Sequence, residues 1–248
     1  MLDYLVEEVL KRQPESVQGF LICTSVLERL CGPLCEAVLE TPAGSGQSTL
    51  EALERANLFL VPLDNERHWY RYHHLFGELL RQRLGKPQEL SEYHLRASQW
   101  HEKNGDLNVA FRHAIAARDF IRAAELAESA WKGMEESFQT AAWLDGVKNL
   151  PDEVIRVRPA LCILLGRAFA DAGEPEASEL RLQDAERCLN GSDIKIANPL
   201  LATIALIRAY NAQVQGKLVT TVKYAEQALQ LIPENDLYRR SQAAMALA

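Results

Sequence analysis

The sequence predicts a mainly α-helical protein in two parts: a helical module closed by one short β-hairpin, then an array of helical hairpins. Three observations predict it. Apolar residues recur at the three- and four-residue spacing of a helix face through most of the 248 residues. That period breaks once, between Leu58 and Tyr72, where two strand-like runs flank a polar turn. Downstream, a glycine followed by small residues recurs in one register, at Gly105, Gly173 and Gly216.

Taken in order, Leu2–Arg12 reads as an amphipathic helix with Leu5, Val9 and Leu10 on one side. It starts without a cap, so residues 1–13 are read as the end of a preceding helical segment. Pro14 suits the first turn of the next helix, whose buried face carries Val17, Phe20, Leu21 and Thr24. After the Gly32-Pro33 break, Leu34–Leu39 is a short helix. Thr41–Ser48 is a polar loop, and a third helix runs from about Thr49 to Asn57. The runs Leu58–Leu63 and Trp69–Tyr72 are strands joined by the turn Asp64–Arg67. A further helix begins near His73 and continues through Leu84. Three helices, a two-stranded wing and a closing helix give residues 14–86 the order of a winged-helix domain.

Residues 87–248 read as tetratricopeptide-like helical repeats. In such a unit a Gly ends the first helix, and small residues on the second let the pair interlock, so that neighbouring hairpins stack. Gly216 to Pro233 shows the pattern, with Ala225 and Ala228 at the packing positions. Gly173 repeats it with Leu182 and Ala185, and Gly105 with Ala110, Ala114 and Ala117. The long Gly173–Gly216 interval is assigned to the loop Asn190–Asp193. From Asp119 to Asn149 no glycine anchors a register. The last residues, Ala243–Ala248, form an apolar helix without a polar cap, which reads as an interrupted array.

The net charge of −7 disfavours direct nucleic-acid binding, which needs clustered Lys and Arg. No apolar run approaches the roughly 18 residues of a membrane span, and the N-terminus lacks signal-peptide character, so a cytoplasmic location without membrane contact is expected. Five cysteines, with Cys31 and Cys35 four apart and Cys23 upstream, lack zinc-site spacing and read as small buried residues.

Several constellations invite chemistry. Ala43-Gly44-Ser45-Gly46-Gln47-Ser48-Thr49 has the glycines of a phosphate loop. It lacks the Lys before Ser/Thr and a preceding strand, so a flexible surface loop is the better reading. His73 and His74 are adjacent and diverge on a helix. Spacing alone reads them as one packed and one solvated imidazole; the functional alternative is a hydrogen bond to an anion on another domain. His94 and His101 share a helix face with Trp100 nearby and read as a repeat-helix surface, with a metal-related role as the sharper alternative. No Ser-His-Asp, Cys-His or paired-carboxylate arrangement stands out, so no enzyme and no metal site are expected.

The segment Leu53-Glu54-Arg55-Ala56-Asn57-Leu58-Phe59-Leu60-Val61-Pro62-Leu63-Asp64, followed by Trp69-Tyr70-Arg71-Tyr72-His73-His74-Leu75-Phe76, closely resembles the MalT-like group of large ATP-binding LuxR-family regulators. Tyr4–Leu10 and Phe20–Leu27 match the same group, and the resemblance is specific to about Glu128. It implies signal-transducing NTPases built from a nucleotide-binding domain, a winged helix, a helical-repeat sensor and a C-terminal helix-turn-helix. In the wider class a Met-His-Asp motif in the winged helix touches the phosphates of bound ADP. Tyr72-His73-His74 falls there, which makes His73 the implied nucleotide-contacting residue, with Tyr72 in place of Met and His74 in place of Asp. ADP or ATP is then expected in the intact regulator through an NTPase domain outside this chain, with no cofactor in the chain itself. The implied partners are that NTPase domain, the DNA-binding domain, and an inducer or protein on the repeats, with an oligomer in the active state. A free-standing repeat scaffold for protein–protein interaction is the alternative.

Overall fold

The computed structural model describes residues 8, 10–85, 87–136 and 140–247. Most of the expected Leu2–Arg12 helix lies outside the described residues; Glu8, Leu10 and Lys11 are helical. The chain forms two compact units, Met1–Asp119 and Phe120–Ala248. No described helix is long and apolar enough to cross a membrane.

The first unit opens with α1 (Glu15–Thr24), α2 (Gly32–Leu39) and α3 (Ser45–Arg55). A wing of β1 (Leu60–Pro62) and β2 (Tyr70–Tyr72) follows, and α4 (His74–Arg81) closes the winged helix. The strands are antiparallel, with Leu60 opposite Tyr72 and Pro62 opposite Tyr70. Their turn is set by Asp64, whose Oδ1 and Oδ2 accept the His68 and Trp69 backbone N–H groups at 2.9 and 2.8 Å. These bonds stabilise the ionised form and hold the carboxyl below its usual range. Leu30 adds a one-residue third rung, exchanging both backbone hydrogen bonds with Tyr70 at 2.8 Å. A single residue has no alternation, so sequence pattern cannot announce it.

The core of this unit gathers Leu21, Leu30, Leu34, Leu50, Phe76 and Leu80, all essentially inaccessible. Polar pairs pin the helices over it. Thr24 Oγ1 lies 2.7 Å from Tyr72 OH, and Arg81 Nε donates to Ser25 O at 3.0 Å. Two further helices, α5 (Pro87–Lys103) and α6 (Leu107–Ala116), complete the unit. Ala97 enters the same core with Tyr93 and Trp100 packed against it, and Arg96 Nη1 donates to Val38 O at 3.0 Å. The hairpin assigned from sequence to the start of the array thus packs with the winged-helix elements.

The expected loop at Thr41–Ser48 is partly helix, because α3 begins at Ser45. Gly46 has a packing reason, whereas Gly44 takes φ +84° with open space around it. A Cβ on Gly46 would overlap the Gly32 carbonyl oxygen, and one on Gly32 would sit 2.8 Å from Gln47 N. The starts of α2 and α3 touch through these two residues, and the Gly46 N–H donates to Glu36 Oε1 at 2.9 Å.

The second unit comprises α7 (Phe120–Glu136), α8 (Thr140–Val147), α9 (Asp152–Arg156), α10 (Pro159–Asp171), α11 (Pro175–Leu189), α12 (Ile194–Val214), α13 (Leu218–Leu231) and α14 (Leu237–Met245). It is a tetratricopeptide-like array. Gly173 and Gly216, at φ +77° and +70°, end α10 and α12 in the left-handed conformation that glycine adopts without a Cβ clash; Gly105, at +82°, does the same between α5 and α6. Small residues meet inside each pair, Gly166 against Leu182 in one and Ala205 near Ala228 in another. In the unanchored stretch, α7 and α8 are joined by Trp143, whose Nε1 donates to Ala127 O at 2.9 Å, and by the Trp131–Trp143 edge contact. The loop Asn190–Asp193 does not absorb the long Gly173–Gly216 interval by itself: α12 has 21 residues against 13 in α10, and it tolerates Pro199 inside it.

Gly46→Ala should destabilise the first unit by about 1–3 kcal/mol, because the added methyl meets backbone that cannot swing away. The urea midpoint of the chain measures this, with Gly19→Ala, which has open space around it, as the control.

Candidate functional site

His73 is the N-cap of α4 and makes no side-chain capping bond. Its backbone is fixed on both sides: the His73 N–H donates to Phe59 O at 2.8 Å, and its carbonyl accepts the Gly77 N–H at 2.9 Å. Phe59 is held at φ +53°, a region unfavourable for a bulky side chain, with its ring on Phe76 at 5.1 Å. His73 and His74 are both exposed, with ring centroids 5.7 Å apart. The expectation of one packed and one solvated imidazole is therefore corrected: a β-strand ending at the buried Tyr72 turns directly into α4, and both rings emerge at the corner. The arrangement presents an unspent imidazole at a helix N-terminus, where an anion is favoured.

His94 and His101 are not a repeat-helix surface. Both point from α5 toward α6 and meet His113, which sequence reasoning missed. His94 Nδ1 and His113 Nδ1 are 2.8 Å apart, and the His101 and His113 rings stack at 5.6 Å. The Gly105 turn was the available signal, since it folds α6 back along α5 and brings these residues together. Burial lowers the proton affinity of all three; His113 is pushed down to about 3, with His94, His101 and Arg112 adding to the effect. The three are neutral at pH 7. One Nδ1 of the close pair must then donate and the other accept. These rings line a cavity of ≈ 360 Å³. Among the described residues, no group of three His, Cys, Asp or Glu is arranged to hold a metal ion.

In the array an open groove of ≈ 500 Å³ runs beside Arg208, between α11, α12 and α13. Arg208 forks to Glu179 and Glu186 of α11, with contacts from 2.6 to 2.9 Å, and lies 5.7 Å from the Tyr224 ring. Asn211 donates to Ser178 Oγ at 2.9 Å. Mixed donors and acceptors next to an aromatic ring suit a polar ligand or a peptide. The five cysteines are free: Cys31, Cys35 and Cys162 are buried, while Cys23 and Cys188 are half-buried.

The histidine cluster makes the first unit sensitive to acid. An unfolded imidazole takes a proton near pH 6.5, whereas folded His113 refuses it until about 3. The contribution of His113 to stability should be fully present above about pH 6.5 and be lost as the pH drops from 6.5 towards 3, by at most on the order of 5 kcal/mol. His94, His101 and Arg112 face His113, and Asp106 lies 3.9 Å from His101. Urea denaturation across that range, compared with His113→Phe, measures the slope; the variant should lose most of it.

The chain is similar to several known proteins. Residues 6–92 match the family model of the MalT winged helix domain. The serine/threonine-protein kinase PknK of Mycobacterium tuberculosis (strain H37Rv) is 33% identical over 194 residues, covering 77% of this chain and 17% of PknK. The HTH-type transcriptional regulator MalT of Serratia proteamaculans is 31% identical over 243 residues, covering 96% of this chain and 26% of that protein. The chain thus spans about a quarter or less of the length of these curated relatives. A crystal structure of a Signal Transduction ATPase with Numerous Domains from Pyrococcus horikoshii, which carries a tetratricopeptide repeat sensor, superposes with a TM-score of 0.64. It covers 99% of this chain and 36% of that one, and at 16% identity it speaks for the fold. Residues 6–92 therefore match the MalT winged helix domain, and the chain resembles a fragment of a MalT-like regulator.

Proposed function

We propose that this chain is the non-catalytic regulatory and sensor part of an ATP-dependent, MalT-like transcriptional activator acting in the cytoplasm. The winged helix reports nucleotide state and the repeat array receives an inducer or a protein partner. The observation that carries the reading is the position of His73. It sits in a MalT-type winged helix, and its backbone is fixed by Phe59 and Gly77. Its exposed ring stands at the start of α4, uncommitted to capping. A fixed imidazole at a helix N-terminus suits the phosphates of a nucleotide held by a neighbouring NTPase domain.

The physical scheme is a two-state one. Contact between His73 and ADP favours a closed state, and ligand on the array, for which the groove beside Arg208 is the best-formed place, favours an open state competent to oligomerise. The winged helix then works as a lever between protein domains, consistent with the acidic charge of the chain.

In the intact regulator, His73→Ala should weaken ADP retention by roughly 10-fold or more, as expected for the loss of one hydrogen bond to a charged group. Transcription without inducer should rise accordingly. Nucleotide release and reporter transcription are the measurements; unchanged inducer dependence would sink the lever role.

A further inference from the structure

The cavity bounded by the α5–α6 hairpin and the wing lies in the first unit, apart from the His73 corner and the array groove. We propose that it is a binding site for a small planar aromatic or heteroaromatic carboxylate.

Its volume, ≈ 360 Å³, falls within the range of small-molecule pockets and suits a one- or two-ring ligand. One wall is the Trp69 ring, fixed edge-on against Trp100 at 6.3 Å and carrying the Arg29 guanidinium 4.9 Å from its centre. Val26 and Val109 supply apolar contact. A flat ring is the shape these surfaces accept.

The polar groups select an acid. The His101 side chain is largely buried and lines the cavity, with Asp106 Oδ2 3.9 Å from its Nδ1. A ligand atom within reach of this ring would gain a hydrogen bond that the 3.9 Å separation from Asp106 does not supply. Arg29 has no carboxylate partner among the described residues. Arg112 is paired with Glu28 at 3.2 Å, and both side chains are more than half exposed. Such a pair is weak and readily exchanged. A ligand carboxylate would give Arg29 the partner it lacks and compete with Glu28 for Arg112. A cationic ligand would meet two guanidiniums. The His94–His113 pair resembles two metal ligands, but no third ligand joins it among the described residues. Because the imidazoles are neutral at pH 7, they offer both a donor and an acceptor to the ring edge.

The test is calorimetric titration of the 248-residue chain at neutral pH with indole-3-carboxylate, followed in parallel by tryptophan fluorescence. Saturable binding is expected, with indole itself at least tenfold weaker because the charge-assisted bonds are lost. Arg29→Ala, at an exposed position, should weaken the acid by about tenfold without disturbing the fold, and His101→Phe should weaken it similarly. No saturable binding, or binding equal in the wild type and Arg29→Ala, overturns the proposal. So does inorganic phosphate binding as tightly as the acid, which would make the site a plain anion site. Tighter binding of Zn²⁺ than of the acid, lost in His94→Ala, would overturn it in favour of a metal site.

Discussion

Helices in both units meet at separations that only glycine, alanine and serine permit, and this close approach is the constraint on which the rest of the structure depends. In the first unit Gly46 rests on the Gly32 carbonyl oxygen. In the second, Gly166 lies under Leu182, and Ser178 Oγ donates to Gly166 O at 2.7 Å. Ala202, Ala205, Ala228 and Ala243 do the same between α12, α13 and α14. Close backbones leave no room for side-chain adjustment, so each contact fixes both the distance and the rotation of a helix pair. A hairpin so fixed can present a groove of definite shape on its outer face.

Polar pairs then fix what close packing leaves free. Thr24 and Tyr72 tie α1 to β2 inside the winged helix, and Arg67 Nε reaches Glu54 Oε1 at 3.0 Å to hold the hairpin turn on α3. In the array, buried Asp184 collects Arg181 and Arg187 of its own helix and Arg156 of α9, while Arg158 forks to Glu128 across α10 and α7. Removing one member of such a set would leave a charge with little water to replace the partner, which makes these groups keys to orientation more than reserves of stability. The same logic explains why the histidine cluster is neutral: burial costs the packed imidazoles more on ionising than Asp106, 3.9 Å from His101, returns.

Much of this was legible in the residues. The switch from helical spacing to strand-like runs at Leu58 and Trp69 located the wing, and Gly105, Gly173 and Gly216 marked real turns because a positive φ there favours glycine. His73 could be placed at the strand-to-helix corner from the words around it. Other features were not legible. The Leu30 rung is a single residue with no pattern of its own. The apparent phosphate loop at 43–49 carries Gly46 for a contact with Gly32 on the preceding helix, and Cys23 meets Tyr93 across 70 positions at 3.2 Å.

The sequence by itself determined the periodic and the local: which segments are helices, where the hairpin falls, where glycine must end a helix, and which residue stands at the α4 corner. These follow from backbone sterics and from the spacing of apolar side chains, both of which act over a few residues. Only the tertiary structure decided that His94, His101 and His113 share one cavity with Trp69 and Arg29, that both corner histidines face water, and that the 87–116 hairpin packs with the winged helix. Each of those depends on the angle at which one helix crosses another. That angle is set by contacts between residues distant in the chain, for which a single sequence carries no spacing rule.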